Sequence, residues 1–170
     1  MTLCERLGKL LYSRGGEIEN ETDYLRSAVL VPLVRREGRL GVLFEVRSAA
    51  LTWQPGDICF PGGRIELDDA GSEAAAVRET REELSLPDSA IEVIGPLNSM
   101  VSPIGVMIHP YAAYINNFDL IRPNHGEVSE VFVAPLDYLL AVEPLTAHME
   151  VATRPLADFP LNLLPPSYAR

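Results

Sequence analysis

Residues 62–86 decide the fold, and they read GGRIELDDAGSEAAAVRETREELSL. A glycine turn opens the stretch, an acidic loop follows it, and the spacing of apolar residues predicts a helix from Ser72 to Leu84. At about 100° per residue, one face of this helix carries an apolar stripe that consists of Ala76, Val77, Thr80 and Leu84. The sequence therefore predicts a helix whose stripe packs against a core.

Three carboxylates of the same helix are predicted to share one patch on the side opposite the stripe: Glu79, Glu82 and Glu83. Spacings of three and four residues return to the same helix face. Like charges at such spacings cost ~0.2–0.5 kcal/mol per pair on an exposed helix, which flanking Arg78 and Arg81 offset in part. A solvated acidic surface is one interpretation, and the helix alone favours it. A divalent cation site is the other.

The surroundings of the helix favour the cation site. The Gly62-Gly63 turn can bring a backbone carbonyl close to an ion, because no side chain stands in the way. The loop between turn and helix adds further acidic residues, namely Glu66, Asp68 and Asp69. A ligand set made only of oxygen suits Mg²⁺ or Mn²⁺ rather than Zn²⁺.

The composition is that of an acidic globular chain. It has 170 residues, 47% of them hydrophobic, with 14 Lys+Arg against 24 Asp+Glu and a net charge of −10. We expect a single domain over residues 1–170 that ends in a proline-rich tail at 143–170. The basic footprint of a nucleic-acid-binding protein is missing, so any phosphate substrate needs local arginines or bound cations. The sequence has no apolar run of membrane-spanning length and no signal-type block, so we expect a soluble, cytoplasmic protein without a membrane partner.

The rest of the chain alternates irregularly between strands and helices, which favours an α/β or α+β sandwich around a mixed sheet. A short amphipathic helix is predicted over Leu3–Tyr12 and a hairpin over residues 28–34 and 40–46. Further predictions are an extended piece in 57–60, strands at 91–97, 109–115 and 128–133, a loop at 98–105, and a helix near 136–142.

The stretch quoted first resembles the Nudix box, G-x5-E-x7-R-E-U-x-E-E-x-G-U with U aliphatic. Its second half matches the pattern at Arg78, Glu79, Glu82, Glu83 and Leu86. The stretch from glycine to arginine is one residue longer here, Ala70 stands where the early glutamate is counted, and Ser85 replaces the late glycine. The resemblance implies a Nudix-type α/β/α sandwich with a mixed sheet.

A second block resembles the extra motif of the coenzyme A pyrophosphatase branch, LLTxR[SA]-x3-R-x3-G-x3-FPGG. Arg47, Ser48, Gly56 and the FPGG at 60–63 fall at the expected spacing, whereas Thr52 stands in place of the second arginine. Segments at 102–103, 109–111 and 124–136 are similar to the same branch. The resemblance implies metal-dependent cleavage of coenzyme A or acyl-CoA to 3′,5′-ADP and (acyl-)4′-phosphopantetheine.

The resemblance also implies roles for the residues of the box. Glu79, Glu82 and Glu83 would ligate Mg²⁺ or Mn²⁺ ions together with the Gly63 carbonyl. The ions would neutralise the pyrophosphate and lower the pKa of a water that attacks phosphorus. Arg78 would orient the carboxylates through its planar set of donors.

Other candidate site residues lie outside the helix. Glu127 and Glu130 are candidates for the general base or a further metal ligand, with an ordinary surface carboxylate as the alternative for each. Arg47 and Arg64 are candidates for binding substrate phosphates, with a solvated surface arginine as the alternative. Trp53 would stack on adenine or pack half-buried.

Two further functions stay open. The first is a Nudix pyrophosphatase that acts on ADP-ribose or another nucleoside diphosphate derivative, which Thr52 favours. The second is a non-catalytic Nudix domain that binds a nucleotide or a protein, which the repulsive cluster of three glutamates disfavours. The expected partner is a small-molecule nucleotide similar to coenzyme A. The oligomeric state is open, with a homodimer as the commonest closed assembly.

Overall fold

The computed structural model describes residues 3–12, 24–148 and 150. Its helices and strands are, in chain order, α1 (Leu3–Tyr12), β1 (Leu25–Arg36), β2 (Arg39–Arg47), β3 (Ile58–Cys59), β4 (Gly62–Arg64), α2 (Ser72–Leu84), β5 (Ile91–Pro96), β6 (Met100–Val101), β7 (Val106–Ile115), β8 (Val128–Pro135) and α3 (Leu136–Ala141). Short 3₁₀ turns occupy Asp88–Ala90 and Phe118–Leu120. The proline-rich tail beyond residue 150 lies outside the described residues.

Most predicted elements are confirmed. Helices α1 and α2 have the predicted bounds, and β1 and β2 form the predicted hairpin. The prediction of a loop at 98–105 was wrong in part, because β6 pairs there with β7 at Met100↔Ile108 and Val101↔Met107. The short strand β4 was also missed. Both pieces are strands only because a distant strand pairs with them, which local sequence does not reveal.

The strands form one mixed sheet, as expected. Strand β1 lies parallel to β7 and antiparallel to β2, whereas β7 pairs antiparallel with β5 and β6. Strand β8 extends the sheet beyond β2. No helix in the described part of the chain is long and apolar enough to cross a membrane.

Strands β3 and β4, which lie between β2 and α2 in the chain, fill the gap in the sheet where β1 and β2 are not paired with each other. Strands β1 and β2 pair only near their turn, from Leu33↔Val42 to Arg36↔Arg39. Beyond that point β3 pairs with β2, and β4 pairs with β1. At Gly62 the backbone φ is +147°, and a Cβ would lie 2.5 Å from the Cα of Val29. Only glycine fits this approach, which brings the turn against β1.

Helix α2 packs on the sheet through two buried clusters. Near the start of the helix the cluster consists of Ala75, Ala76, Ala28, Leu30 and Ala113. Near its end the cluster includes Leu84, Val34, Leu43 and Ile115. The predicted stripe is confirmed, with Ala76, Thr80 and Leu84 fully buried and Val77 partly buried against the first cluster. The hydroxyl of Thr80 donates to the Ala76 carbonyl at 2.7 Å, which satisfies its polar atom inside the core.

Candidate active site

The glycine turn and α2 meet at Gly63. A Cβ at this position would lie 2.5 Å from the Cδ of Glu79 and 2.7 Å from each of its carboxylate oxygens. The absence of a side chain therefore lets the Glu79 carboxylate lie against the backbone. The Gly63 carbonyl accepts the Ser27 hydroxyl at 2.7 Å. The role of this carbonyl as an ion ligand stays a prediction, and an ion would share the oxygen with Ser27.

Glu83 is the buried member of the predicted acidic patch. It is only 4% exposed, and its Oε2 accepts the backbone N–H of Gly62 at 2.8 Å. Burial and the charges of Glu45, Glu79 and Glu127 together raise the pKa of Glu83 to about 8, against the opposing effect of the Gly62 hydrogen bond. The prediction that Glu83 lies on the side opposite the core was wrong. The turn at Gly62 covers that part of the helix.

Arg78 ties several acidic groups together. Its Nε and Nη2 each donate to the Asp69 carboxylate at 2.9 Å, and its Nη1 donates to Oε1 of Glu79 at 2.9 Å. The same Nη1 lies 3.6 Å from Oε2 of Glu82, which is 58% exposed. Its Nη2 also donates to the Arg64 carbonyl at 3.2 Å. Burial raises the pKa of Glu79, although the Arg78 charge opposes this rise.

The structure shows a contact of Asp69 with Arg78 that the sequence did not predict. Its side chain is 6% exposed, and besides Arg78 it binds the backbone N–H of Glu66 at 2.8 Å. These hydrogen bonds hold the pKa of Asp69 at about 2. Asp69 therefore anchors the acidic loop to α2 through Arg78. The available signal was its position, because it directly precedes Ala70, where the early glutamate of the box is counted.

A further carboxylate, Glu45 on β2, was not predicted as part of the site. It is 1% exposed, and its Oε1 accepts the Cys59 thiol at 3.3 Å. Its Oε2 has no hydrogen-bond partner among the described residues. Burial raises the pKa of Glu45 to about 7. The available signal was an acidic residue at a strand position that points to the same side as the buried Leu43.

The two candidate bases differ in their position. Glu127 is exposed, and its charge raises the pKa of Glu45, Glu79 and Glu83, so it lies within electrostatic reach of the cluster. Glu130 is also exposed and lies on β8, where it pairs with Val46. The structure therefore brings Glu127, rather than Glu130, toward the acidic cluster.

The candidate substrate-binding residues lie around the same segment. The Nε of Arg47 donates to the Trp53 carbonyl at 3.3 Å, and Trp53 is 61% exposed. The interpretation of Trp53 as a half-buried packing residue was therefore wrong. Arg64 is exposed at the end of β4, opposite Ser27. Their roles in binding substrate stay predictions.

The donor set suits a hard cation, although the side chains do not converge on one point. Within residues 3–12, 24–148 and 150, no group of three His, Cys, Asp or Glu side chains is placed to hold a metal ion. Glu79 binds Arg78, Glu83 binds a backbone N–H, and Glu82 points to solvent. Carboxylate oxygens in a region of excess negative charge fit Mg²⁺ or Mn²⁺ chemically. Binding of one ion by all three carboxylates would require their side chains to move together.

Comparisons with known proteins agree with this geometry. The family model of the NUDIX domain matches residues 24–155. The peroxisomal coenzyme A diphosphatase NUDT7 of Mus musculus is 37% identical over 132 residues, which are 78% of this chain and 55% of that protein. The uncharacterized Nudix hydrolase NudL of Escherichia coli K12 is 40% identical over 121 residues, 71% of this chain and 62% of that protein. The match thus spans little more than half the length of these relatives.

Solved structures share the fold at lower identity. The Ap4A hydrolase of C. elegans, in a binary complex, aligns with a TM-score of 0.54 at 20% identity, over 68% of this chain and 83% of that one. The NUDIX domain of Shewanella oneidensis NrtR, complexed with ADP ribose, aligns with a TM-score of 0.54 at 21% identity, over 84% of this chain and 89% of that one. These likenesses show the fold alone.

Proposed function

This chain belongs to the Nudix domain family, and we propose that it is a metal-dependent pyrophosphatase. The proposed substrate is coenzyme A or acyl-CoA, cleaved at its diphosphate to 3′,5′-ADP and (acyl-)4′-phosphopantetheine. The observation that carries the proposal is the carboxylate cluster at the glycine turn, with Glu79 against Gly63 and Glu83 bound to Gly62. The similarity to a protein named as a coenzyme A diphosphatase supports the choice of substrate.

The side chains of α2 have two proposed roles, as ligands of the cation and as a group that positions a ligand. Glu79, Glu82 and Glu83 with the Gly63 carbonyl are the proposed ligands of Mg²⁺ or Mn²⁺, which supplies charge neutralisation of the diphosphate and a more acidic water. Arg78 is a positioning residue, because it contacts the Glu79 carboxylate while Asp69 fixes its guanidinium from the other side. Asp69 thus restricts the orientation of Glu79 without contacting it.

Proton removal from the attacking water is assigned to Glu127. Its exposure leaves it accessible to water, and its electrostatic reach to Glu79 and Glu83 supports a place beside the bound diphosphate. Asn124 donates to its Oε1 at 3.3 Å, which limits the orientation of the carboxylate. Glu130 is the second candidate for this role.

The substrate is proposed to bind along the segment that follows β2. Arg47 and Arg64 supply positive charge for phosphates in a chain whose net charge is −10. The exposed Trp53 ring offers a flat surface for adenine. Trp53 lies close to Arg47, because its carbonyl accepts a hydrogen bond from the Arg47 Nε. The hydrogen bond from the Arg47 side chain to the Trp53 carbonyl therefore joins the proposed phosphate and base positions.

Thr52 favours a second candidate substrate class, ADP-ribose or another nucleoside diphosphate derivative. It stands where the coenzyme A motif has an arginine, one residue before Trp53. A site without that arginine has less positive charge for the additional 3′-phosphate of coenzyme A. ADP-ribose keeps the adenosine diphosphate and lacks that phosphate, so the same carboxylates would serve both reactions.

Product analysis tests the function and separates the two substrates. The purified chain is incubated with coenzyme A and, separately, with ADP-ribose, in Mg²⁺, in Mn²⁺ and in EDTA, and the products are identified by mass spectrometry. Metal-dependent release of 3′,5′-ADP from coenzyme A, well above cleavage of ADP-ribose, is expected. Cleavage of ADP-ribose alone would keep the chemistry and reject coenzyme A. Cleavage of neither would favour the non-catalytic binding domain. A Glu83→Gln variant with unchanged turnover would remove that residue from the site.

A further inference from the structure

Glu45 is a buried carboxylate that the proposed ligand set leaves unused. It lies on β2 in register with Cys59 of β3, whose thiol supplies its hydrogen bond at 3.3 Å. The second oxygen, Oε2, is buried and finds no donor in the described part of the chain. A buried carboxylate oxygen without a donor is strongly unfavourable. The Oε2 atom of Glu45 therefore needs a partner, and the described protein atoms do not supply one.

The strand geometry places Glu45 on the α2 side of the sheet. Side chains alternate along a strand, so Glu45 shares a face with Leu43 and not with Phe44. Leu43 packs in one cluster with Leu84 of α2. Phe44 stacks instead on Phe60, with ring centroids 4.9 Å apart. Glu45 thus points toward the end of α2 that carries Glu83, the residue before Leu84.

Electrostatics links the two buried carboxylates. Of the charges that raise the pKa of Glu83, that of Glu45 has the largest effect. Arg47 is the cation that acts on Glu45, but no salt bridge joins the two side chains in the residues described. Its Nε instead binds the Trp53 carbonyl. The charge of Glu45 therefore disfavours ionisation of Glu83, and neither carboxylate forms a salt bridge with a described residue.

We propose that Glu45 is a further ligand of the divalent-cation site, with Oε2 as its donor oxygen and Glu83 as the neighbouring ligand. The inference rests on the proposed function, in that the cation is the one that α2 would bind. A divalent ion would occupy the Glu45 oxygen that has no hydrogen-bond donor among the described residues. The helix and the sheet then each contribute a ligand to the site, Glu83 from α2 and Glu45 from β2.

Binding of Mn²⁺ to the 170-residue chain tests this inference without any substrate. Dissociation constants are measured by electron paramagnetic resonance of free Mn²⁺ for the unaltered chain and for Glu45→Gln. The substitution is expected to weaken binding about 10–100-fold, as for the loss of groups that support a metal site. Glu37→Gln is the matched control, because it removes the same charge from the exposed β1–β2 turn, about 26 Å along the strand from Glu45 at ~3.3 Å per residue. Its affinity should change less than twofold.

Two further variants separate ligation from a structural role. Cys59→Ala removes the hydrogen bond that the Glu45 carboxylate accepts within the described residues, and it should leave Mn²⁺ affinity within twofold. Glu45→Thr, which suits a strand, should weaken binding as much as Glu45→Gln does. In EDTA, Glu45→Gln should not melt below the unaltered chain, because it replaces a buried acid by a neutral group of nearly the same shape. Unchanged affinity in Glu45→Gln and Glu45→Thr, or an equal loss in Cys59→Ala, would overturn the inference.

The same measurements distinguish failure of the inference from failure of the proposed function. If the unaltered chain cleaves coenzyme A or ADP-ribose with Mn²⁺ while Glu45→Gln keeps full affinity, the function stands and the role of Glu45 is rejected. If the unaltered chain binds Mn²⁺ with the expected loss in Glu45→Gln but cleaves neither compound, the role of Glu45 stands and the pyrophosphatase is rejected. If the unaltered chain binds no Mn²⁺, the role of Glu45 is rejected, and the pyrophosphatase is rejected with it if neither compound is cleaved in Mg²⁺ or in Mn²⁺.

Discussion

Replacing Glu83 by glutamine should stabilise the metal-free protein, by an amount that depends on pH. The pKa of Glu83 is about 8 in the folded chain, against an ordinary value of 4.5. Between these values the unfolded chain ionises Glu83 while the folded chain keeps it protonated. The folded state therefore binds more protons than the unfolded state, and stability falls as pH rises through this window. Below pH 4.5 the carboxyl is protonated in both states and its contribution vanishes.

The magnitude follows from the linkage relation. At about 1.36 kcal/mol per pH unit, the cost of Glu83 reaches roughly 3 kcal/mol at pH 7 and about 1 kcal/mol at pH 5. Glutamine has nearly the same shape, still accepts the Gly62 N–H and carries no charge. Glu83→Gln should therefore gain roughly 3 kcal/mol at pH 7, which corresponds to a rise in Tm of roughly 6–12 °C for a domain of this size.

Thermal denaturation in EDTA at pH 5 and pH 7 measures this difference. Glu82→Gln is the control, because Glu82 is 58% exposed and loses the same charge in the same helix. The gap in Tm between Glu83→Gln and the unaltered chain should widen from pH 5 to pH 7, and that of Glu82→Gln should not. An equal gap at both pH values, or a lower Tm for Glu83→Gln at pH 7, would refute the assignment of Glu83 as a buried, proton-binding carboxylate.

Three further predictions concern the cation, the positioning pair and the substrate surface. Mn²⁺ at about 100 times its dissociation constant should stabilise the chain by ~2.7 kcal/mol through mass action, seen as a rise in Tm; an equal rise in a monovalent salt of matched ionic strength would contradict a specific site. Asp69→Asn should lower kcat about 10–100-fold, because Arg78 loses its bidentate partner. Asp68→Asn, in the exposed part of the loop, should leave kcat unchanged. Steady-state kinetics measures both variants, and equal effects would reject the positioning role. Trp53→Ala should raise KM with little change in kcat, and Trp53→Phe should restore KM in part; a loss confined to kcat would exclude base stacking.

The residues of α2 were predictable because their pattern is local. A stripe at helical spacing and a glycine turn before it fix the helix and the face that packs on the core, and the structure agrees at Ala76, Thr80 and Leu84. Glu83 was assigned to the side opposite the stripe, yet it stands seven residues after Ala76 and so lies only about 20° from it on the wheel, at the edge of the buried stripe. The wheel does not show which part of the chain covers the side chain. The cover is Gly62, which reaches Glu83 from a part of the chain 21 residues earlier.

Contacts between distant segments explain why the burial of Glu45 and the pairing of Asp69 with Arg78 were not predicted. The burial of Glu45 depends on β3, a two-residue strand whose extended conformation was predicted but whose partner was not. The role of Asp69 depends on Arg78, nine residues later, whose guanidinium turns back toward the loop. Both residues carry charges whose chemistry was visible in the sequence. Their function depends on pairing between distant segments, which periodicity does not encode.

The segment that fills the gap between β1 and β2 explains how this fold can carry buried charge. It supplies one donor to each buried carboxylate, the Gly62 N–H to Glu83 and the Cys59 thiol to Glu45. A carboxylate has about four lone-pair sites, so one donor holds each group in place without compensating its charge. Both carboxylates therefore raise the free energy of the metal-free fold at neutral pH, and a cation bound between them would reverse this effect. Natural chains keep such a destabilising arrangement where function requires it, and this balance favours a cation-dependent enzyme over a domain that only binds nucleotides.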